Sequence, residues 1–248
     1  MLHDPEPPEP TGAIDDDRLR LLFTCCHPAL SLEGRVALTL RVVAGLTVEE
    51  IARAFLMQES AVRQRITRAK SKIKTAQIPY QVPAPEDLRV RIDGVLAVLY
   101  LVFNEGYFAS GSEMPALRSE LTTEAIRLTR LVRELLPDDA EVAGILALML
   151  LSEARSPARI TAKGELVRLD EQDRGLWNRE LIDEGLSLLD RLRGAVPGRY
   201  TLLAQINAVH AAAVDAELTD WQRIVELYEQ LERCLLYTSP SPRDRQKS

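Results

Sequence analysis

The stretch LTVEEIARAFLMQESAVRQRITRAKSKIK, residues 46–74, decides how the first part of the chain folds. Thr47 and Glu50 form the T-x-x-E pattern of a capping box, which predicts the start of a short helix. The residues LMQE at 56–59 separate this helix from a second one that runs to about Lys74. Two short helices joined by a tight turn, the second of them basic, predict a helix-turn-helix.

The second helix has two distinct faces. At about 100° per residue, its apolar residues fall in one narrow sector, which predicts the face that packs on the core: Val62, Ile66, Ala69 and Ile73. Uncharged hydrogen-bonding residues lie on the opposite side, with Arg68 beside them: Ser60, Gln64, Thr67 and Ser71. Long cations flank the apolar sector, Arg63 and Lys70 on one side and Arg65 and Lys72 on the other.

This arrangement is typical of a helix that enters the major groove of DNA. Gln side chains pair with adenine and Arg side chains with guanine, while flanking cations reach the phosphates. The helix opened by Thr47 is expected to present free backbone N–H groups that hold a further phosphate. We therefore expect DNA to contact Thr47, Ser60, Arg63, Gln64, Arg65, Thr67, Arg68, Ser71 and Lys72.

The positive charge of this helix is local. The 248-residue chain has a net charge of −6, whereas residues 47–74 hold seven basic and three acidic side chains. A solvated charged face is the alternative interpretation. Residues 63–74 hold six basic and no acidic side chains, so we expect the cations to lack the partners at i±4 that balance a solvated helix. That expectation favours DNA binding.

The composition favours helix throughout. Apolar residues make up 46% of the chain and aromatic residues only 5%, and long strand-like alternation is missing. We therefore predict an all-α fold. No uncharged apolar run reaches the length of about 18 residues that a membrane span needs. The acidic, Pro-rich beginning differs from a secretory signal, so we place the protein in the cytoplasm, without a membrane partner.

Proline and glycine positions divide the chain into segments. The predicted segments are a disordered linker at 1–14, a helix-turn-helix domain at 15–76, a Pro-rich linker at 77–87, a helical C-terminal domain at 88–236 and a non-native tail at 237–248. The tail is left out of the fold prediction because it resembles read-through of a sequencing adaptor. A native disordered tail is the alternative.

The C-terminal domain is predicted to be a repeat-like array of antiparallel helices. The apolar pattern predicts helices near 87–103, 117–136, 138–154, 171–193, 199–214 and 219–235. The segment at 158–169 is less helical and predicts a small hairpin around Lys163–Gly164.

No set of residues predicts catalysis or metal binding. Cys25, Cys26 and Cys234 form neither a disulfide framework nor a zinc set, and we expect Cys26 to pack in the core with Leu19, Leu22 and Phe23. Polar groups near apolar helices in the C-terminal domain lack a nucleophile–base pair: Asn104, Glu105, Tyr107 and His210. We expect no cofactor and no enzymatic activity, although an enzyme or binding module remains an alternative for this domain.

The segment GLTVEEIARAFLMQESAVRQRITRAKSKI, residues 45–73, resembles region four of bacterial sigma factors of the extracytoplasmic-function class. The matching positions are Leu46, Thr47, Glu50, Ile51, Ala52, Val62, Arg63, Arg65, Ile66, Arg68 and Ala69. VLAVLYLVFNEGYFAS (95–110) and residues 125–155 resemble a subgroup with a long helical, TPR-like C-terminal extension. The resemblance implies binding to the −35 promoter element and to the RNA polymerase flap. It also implies that the extension is a built-in regulator of activity. The helical array would then either pack on the helix-turn-helix or present a groove to a regulatory protein.

The sequence departs from that family in four respects. Leu56 stands where the turn commonly has Gly, Gln58 where Ser or Pro often begins the recognition helix, and Ala61 in place of the usual Thr. Nothing resembles region two, so we expect a fragment of a longer protein. The alternative is a stand-alone helix-turn-helix transcription regulator with a C-terminal sensing or protein-interaction domain.

Overall fold

The computed structural model describes residues 17–55, 57–107, 115–161 and 165–238. Within these ranges the chain forms ten α-helices and no β-strand, which confirms the all-α prediction. The predicted linker at 1–14 lies outside these residues, as do Leu56, the turn at Lys163–Gly164 and the tail from residue 239 onward. None of the described helices combines the length and apolar character that crossing a membrane requires.

The chain divides into two compact units, Met1–Val102 and Phe103–Ser248. The first unit contains α1 (Asp17–Cys25), α2 (Leu32–Val42), α3 (Val48–Ala54), α4 (Glu59–Thr75) and the first part of α5 (Pro85–Tyr107). The Pro-rich linker at 77–87 stays a prediction. Helix α5 begins inside this segment, and the division between the two units falls later, within α5.

Capping interactions set where α2 and α3 begin. The Ser31 hydroxyl accepts a 3.2 Å hydrogen bond from the Gly34 backbone N–H at the start of α2. Gly45, which follows α2, has a φ of +74° that favours glycine. Thr47 and Glu50 then form the predicted capping box, because each side chain accepts a hydrogen bond from the other residue's backbone N–H.

Cys25 and Cys26 pack inside the first unit. Cys26 is buried with Leu19, Leu22 and Phe23, as the helical spacing predicts, and its Sγ lies 3.8 Å from the Thr39 hydroxyl. Burial raises the pKa of both thiols to about 12. Both cysteines are therefore neutral core residues at physiological pH.

The second unit is built around a buried helix. It contains α6 (Pro115–Leu135), α7 (Ala140–Glu153), α8 (Arg179–Arg191), α9 (Arg199–Ala212) and α10 (Trp221–Thr238). Every residue of α7 from Val142 to Ser152 is buried, and α7 packs against α6, α8 and α9. Helices therefore cover α7 on several sides, while the repeat-like, TPR-like organisation stays a prediction.

Helices α7 and α9 cross very closely at Gly144. A Cβ atom at this glycine would lie 2.4 Å from Thr201 Oγ1 and 2.7 Å from the Thr201 backbone nitrogen. The Glu141 carboxylate, one turn earlier on α7, accepts hydrogen bonds from the Tyr200 and Thr201 backbone N–H groups at 2.9 and 3.1 Å. A side chain of α7 thus caps α9, whose own N-cap residue, Gly198, has no side chain to do so.

The prediction of a single helix at 171–193 is wrong for the first turns of that segment. Helix α8 begins only at Arg179, and the preceding residues form a short 3-10 helix at Arg174–Leu176. The Asp173 carboxylate accepts a hydrogen bond from the Gly175 N–H, and the Asn178 side chain accepts one from the Leu181 N–H. Such side chains interrupt a helix because they bond to the backbone locally.

The segment at 158–169 contains an isolated antiparallel bridge between Ile160 and Leu166. The Thr161 N–H donates to the Glu165 carbonyl at 2.9 Å, and the Val167 N–H donates to the Arg159 carbonyl at 2.8 Å. These bonds pair the two sides of the predicted hairpin without forming a regular strand in the described residues.

Candidate nucleic-acid interface

Helix α4 is fixed in rotation by its buried face. Val62, Ile66 and Ala69 are buried as predicted, Ile73 is half-buried, and the helix packs against α2 and α3. Because these apolar residues determine which side of α4 faces inward, they also determine which side chains reach solvent. The pair α3 and α4 thus has the helix-turn-helix order predicted from the sequence.

The opposite side of α4 carries an exposed polar strip. We define this strip as Ser60, Gln64, Thr67, Arg68 and Ser71, all of which are exposed. The Thr67 hydroxyl donates a 2.9 Å hydrogen bond to the Arg63 carbonyl one turn earlier. Its single proton is therefore occupied, and Thr67 offers only acceptor lone pairs to a ligand.

One of the predicted phosphate-contacting cations has an acidic partner. The Arg63 guanidinium donates a 2.6 Å hydrogen bond to the Glu59 carboxylate, and both side chains are exposed. The expectation that the cations of α4 lack partners at i±4 is therefore wrong for Arg63. The error arose because Glu59 lies just before the wholly basic segment at 63–74.

Three other cations of α4 line a cleft beside the start of α2. The cleft has a volume of about 310 Å³, and its cationic walls are Arg65, Arg68 and Lys72. Ser31, Glu33 and Gly34 form the facing wall. The pKa of Glu33 is lowered mainly by its own backbone N–H, then by Ser31, with a smaller contribution from Arg65. Arg65 is half-buried here, whereas Lys72 is exposed.

This cleft was not predicted from the sequence, although two signals for it were present. Ser31 is followed by Glu33 and Gly34, which is the pattern of a capped helix N-terminus. Arg65, Arg68 and Lys72 are spaced so that they share one side of α4. Their juxtaposition depends on how α4 crosses α2, and the sequence pattern does not specify that crossing.

Thr47 is engaged in its own helix. Its hydroxyl accepts a 3.2 Å hydrogen bond from the Glu50 N–H, and its backbone N–H donates a 2.7 Å bond to the Glu50 carboxylate. Two of the N–H groups expected to be free for phosphate are therefore occupied. A role of Thr47 in DNA binding stays a prediction.

Gln58, the N-cap residue of α4, provides a weak cap. Its backbone has the extended conformation of an N-cap, but its side chain makes no capping hydrogen bond within the described residues. This agrees with the departure from Ser or Pro noted in the sequence. Glu59 in the first turn interacts favourably with the positive end of the helix dipole.

An apolar groove of about 240 Å³ lies elsewhere on the first unit. Its walls come from α2, α3, α4, α5 and Met57: Leu32, Glu33, Val36, Ala37, Ile51, Phe55, Met57, Val62, Arg65, Ala97 and Leu101. Leu32 and Phe55 are exposed large hydrophobic residues. An apolar concavity with an exposed aromatic residue is a surface suited to protein contact.

Residues 20–73 match the family model described as sigma-70, region 4. They form a sigma-70 region 4 domain. The region 4 domain covers α1 to α4, including the polar strip and the cationic cleft. The match supports a DNA-binding role for this part of the chain.

Other comparisons concern the rest of the chain. Residues 91–193, which follow the region 4 domain, match a family of unknown function, DUF6596. Over 229 residues the chain is 47% identical to an uncharacterized protein of Rhizobium meliloti (strain 1021). The aligned region covers 92% of this chain and 53% of the relative. The chain therefore spans about half the length of the curated relative it matches. No solved structure matches the chain significantly.

Proposed function

We propose that the chain is part of an extracytoplasmic-function sigma factor whose region 4 domain binds the −35 promoter element in transcription initiation. The observation that carries this proposal is the polar strip of α4, which lies between flanking cations on a helix whose buried face fixes its rotation. A helix inserted in the major groove needs medium-sized hydrogen-bonding groups at its centre and cations at its edges.

The residues of the polar strip have distinct roles in this proposal. Gln64 and Arg68 read base edges through paired hydrogen bonds, and Ser60 and Thr67 make shorter contacts. Thr67 accepts from an amino group of adenine or cytosine, because its proton is bonded within the helix. Ser71 lies at the far end of the strip.

Phosphates bind the cations at the edges of the groove. Arg63 reaches one strand after leaving Glu59, and Lys70 extends from the same side of α4. Arg65 and Lys72 hold a phosphate of the other strand in the cleft beside the start of α2. Thr47 lies at the start of α3 as a further phosphate contact.

The apolar groove is our proposed contact with the RNA polymerase flap. Exposed Leu32 and Phe55 offer the hydrophobic anchors that such a protein contact needs. Glu33 and Arg65 also line the groove, so it adjoins the cleft proposed for phosphate. A Phe55→Asp variant of the chain tests this surface: we expect it to lose binding to purified core polymerase while DNA binding persists.

We further propose that the C-terminal helical unit regulates activity, with a regulatory protein as partner, and that the protein works in the cytoplasm. The support is charge: outside the basic segment 47–74 the chain is strongly acidic. Deletion of residues 103–248 is expected to change promoter binding or transcription. Unchanged promoter binding and transcription would exclude a regulatory role.

The main proposal is tested by selecting DNA from a randomised duplex library with the purified chain. We expect one short motif to be enriched, and we expect the chain to bind core polymerase as well. A motif without polymerase binding would instead indicate the stand-alone transcription regulator. Enrichment of no motif would contradict sequence-specific binding by this chain.

A further inference from the structure

The second unit contains a cluster of polar side chains that no proposed step of DNA binding uses. We define the arginine cluster as Tyr107, Arg155, Arg174, Trp177, Asn207 and His210. Arg155 follows the end of α7, and its Nη2 donates to Asn207 Oδ1 at 2.9 Å and to Tyr107 Oη at 3.3 Å. Arg174 Nη1 donates to the carbonyls of His210 and Ala213 at 2.6 and 2.7 Å.

Helix α9 places the two guanidinium groups near each other. Asn207, which binds Arg155, lies one helical turn before His210, whose carbonyl binds Arg174. Within the described residues, the hydrogen bonds of Arg155 come from Nη2 and those of Arg174 from Nη1. Because a guanidinium carries five N–H donors in a fixed fork, both groups retain donors for a further partner.

Aromatic rings surround the cluster. The Arg174 guanidinium lies 4.8 Å from the centre of the Trp177 ring, and His210 contacts the Trp221 ring edge-on at 5.6 Å. Arg159 lies over the Tyr107 ring at 3.6 Å and donates to the Tyr107 carbonyl at 2.6 Å, which fixes Tyr107 in place. The Trp177 ring is buried, so water screens the charge of Arg174 less on that side.

Arg155 lies close enough to three other basic groups to repel them. Burial lowers the pKa of Arg159, Arg174 and His210, and Arg155 lowers each of them further, whereas Tyr107 and Glu153 raise the pKa of Arg159 and Asp215 raises that of Arg174. The nearby acids are Glu153, whose pKa is raised by burial, and the exposed Asp215. A negatively charged ligand would relieve this repulsion.

The cluster also contains buried polar atoms without hydrogen-bond partners. Within the described residues these atoms are Arg155 Nε and Trp177 Nε1, and Gln172 Oε1 lies two residues before Arg174 in the chain. Such atoms are rare in folded proteins because each is costly to leave unpaired. Two of the three are donors, which suits an acceptor ligand such as an oxyanion.

We propose that the arginine cluster binds a small anion that presents a carboxylate or phosphate group. Arg155 and Arg174 hold the anion through charge-assisted hydrogen bonds, and Arg159 positions Tyr107 behind them. The alternative is that the arginines only join α5, α7 and α9. A purely structural role leaves the unused donors of Arg155 and Arg174, among them the buried Arg155 Nε, unexplained.

Tryptophan fluorescence tests this proposal directly. The chain has only two tryptophans, Trp177 and Trp221, and both contact residues of the cluster. Inorganic phosphate and malonate are titrated separately into the purified chain, with potassium chloride keeping ionic strength constant. We expect a saturable change in emission with at least one of the two anions and none with chloride alone. The two titrations distinguish a phosphate from a carboxylate site.

Substitutions test whether the anion that changes the emission binds at the arginine cluster. Arg174→Gln is expected to weaken the apparent affinity by about tenfold or more, since a charge-assisted bond is lost. Arg168→Gln is the matched control, because Arg168 lies in the same segment and pairs with Asp170 at the surface. Circular dichroism checks that both variants fold. No saturable change in the unmodified chain, or equal affinity in both variants, would overturn the proposal.

Discussion

Arg63 and Glu59 form an ion pair of 2.6 Å across one turn of α4. The pair places a negative charge at the edge of the polar strip proposed to enter the major groove. If Arg63 contacts phosphate as proposed, the pair competes with DNA binding, because Arg63 then exchanges a carboxylate for a phosphate. Exposed pairs of this kind contribute about 0.3–0.5 kcal/mol, so the exchange is readily reversed.

Replacing the acidic partner is expected to strengthen DNA binding. Glu59→Gln frees Arg63 and removes repulsion between the carboxylate and the phosphates. We predict tighter binding to specific and random duplexes alike, by about 0.5–1 kcal/mol at low salt, measured by fluorescence anisotropy. Unchanged or weaker binding to both duplexes would show that Arg63 does not contact phosphate.

Lys72→Ala is expected to act through phosphate alone. The slope of log affinity against log salt should flatten by about one unit, with similar losses on specific and random DNA. Arg193→Ala is the charge-matched control, since Arg193 is exposed in the second unit and pairs with Asp190. A slope equal to that of the unmodified chain would show that Lys72 does not contact phosphate.

Thr47 caps α3 and is also predicted to contact a phosphate. Two substitutions separate these roles. Thr47→Ala removes the capping bond to the Glu50 N–H and should destabilise the chain by about 0.5–2 kcal/mol. Thr47→Asp keeps a good cap, so its thermal midpoint should stay close to that of the unmodified chain. If phosphate binds there, Thr47→Asp should still weaken DNA binding. Retained affinity would assign Thr47 to capping alone.

Gly144 is predicted to be essential for the close crossing of α7 and α9. Gly144→Ala places a methyl group against the Thr201 backbone nitrogen, 2.7 Å away. Overpacking of this kind costs about 1–3 kcal/mol, against a gain of about 1 kcal/mol in helix propensity. Urea unfolding should show net destabilisation, whereas Ser187→Ala on the exposed side of α8 should not. Equal stability would mean that the two helices separate easily.

Local patterns predicted the first unit well. The capping box at Thr47, the buried face of α4 and the polar strip each depend on residues a few positions apart, where helical geometry alone determines the outcome. The Arg63–Glu59 pair was also local, and it was missed because the acidic residue preceded the basic segment. The cationic cleft required knowledge of how α4 crosses α2.

The arginine cluster was beyond sequence analysis for a different reason. Tyr107, Arg155, Arg174 and His210 lie on separate elements, and only the packing of α7 and α9 brings them together. Tyr107 and His210 were noted as polar residues near apolar helices, but nothing in their spacing pointed to the arginines. The 3-10 helix at Arg174–Leu176 also replaced a predicted regular helix. That local change positions Arg174 against α9.

The central claim is that the polar strip of α4 reads bases, and Arg68→Ala tests it most directly. The affinity of this variant is measured for the duplex selected from the library and for a scrambled duplex of the same length, at one salt concentration. Arg193→Ala is the control. We predict a loss of about 1–3 kcal/mol on the selected duplex and a much smaller loss on the scrambled one. Equal losses on both duplexes would contradict base reading by this helix and leave Arg68 as a phosphate contact only.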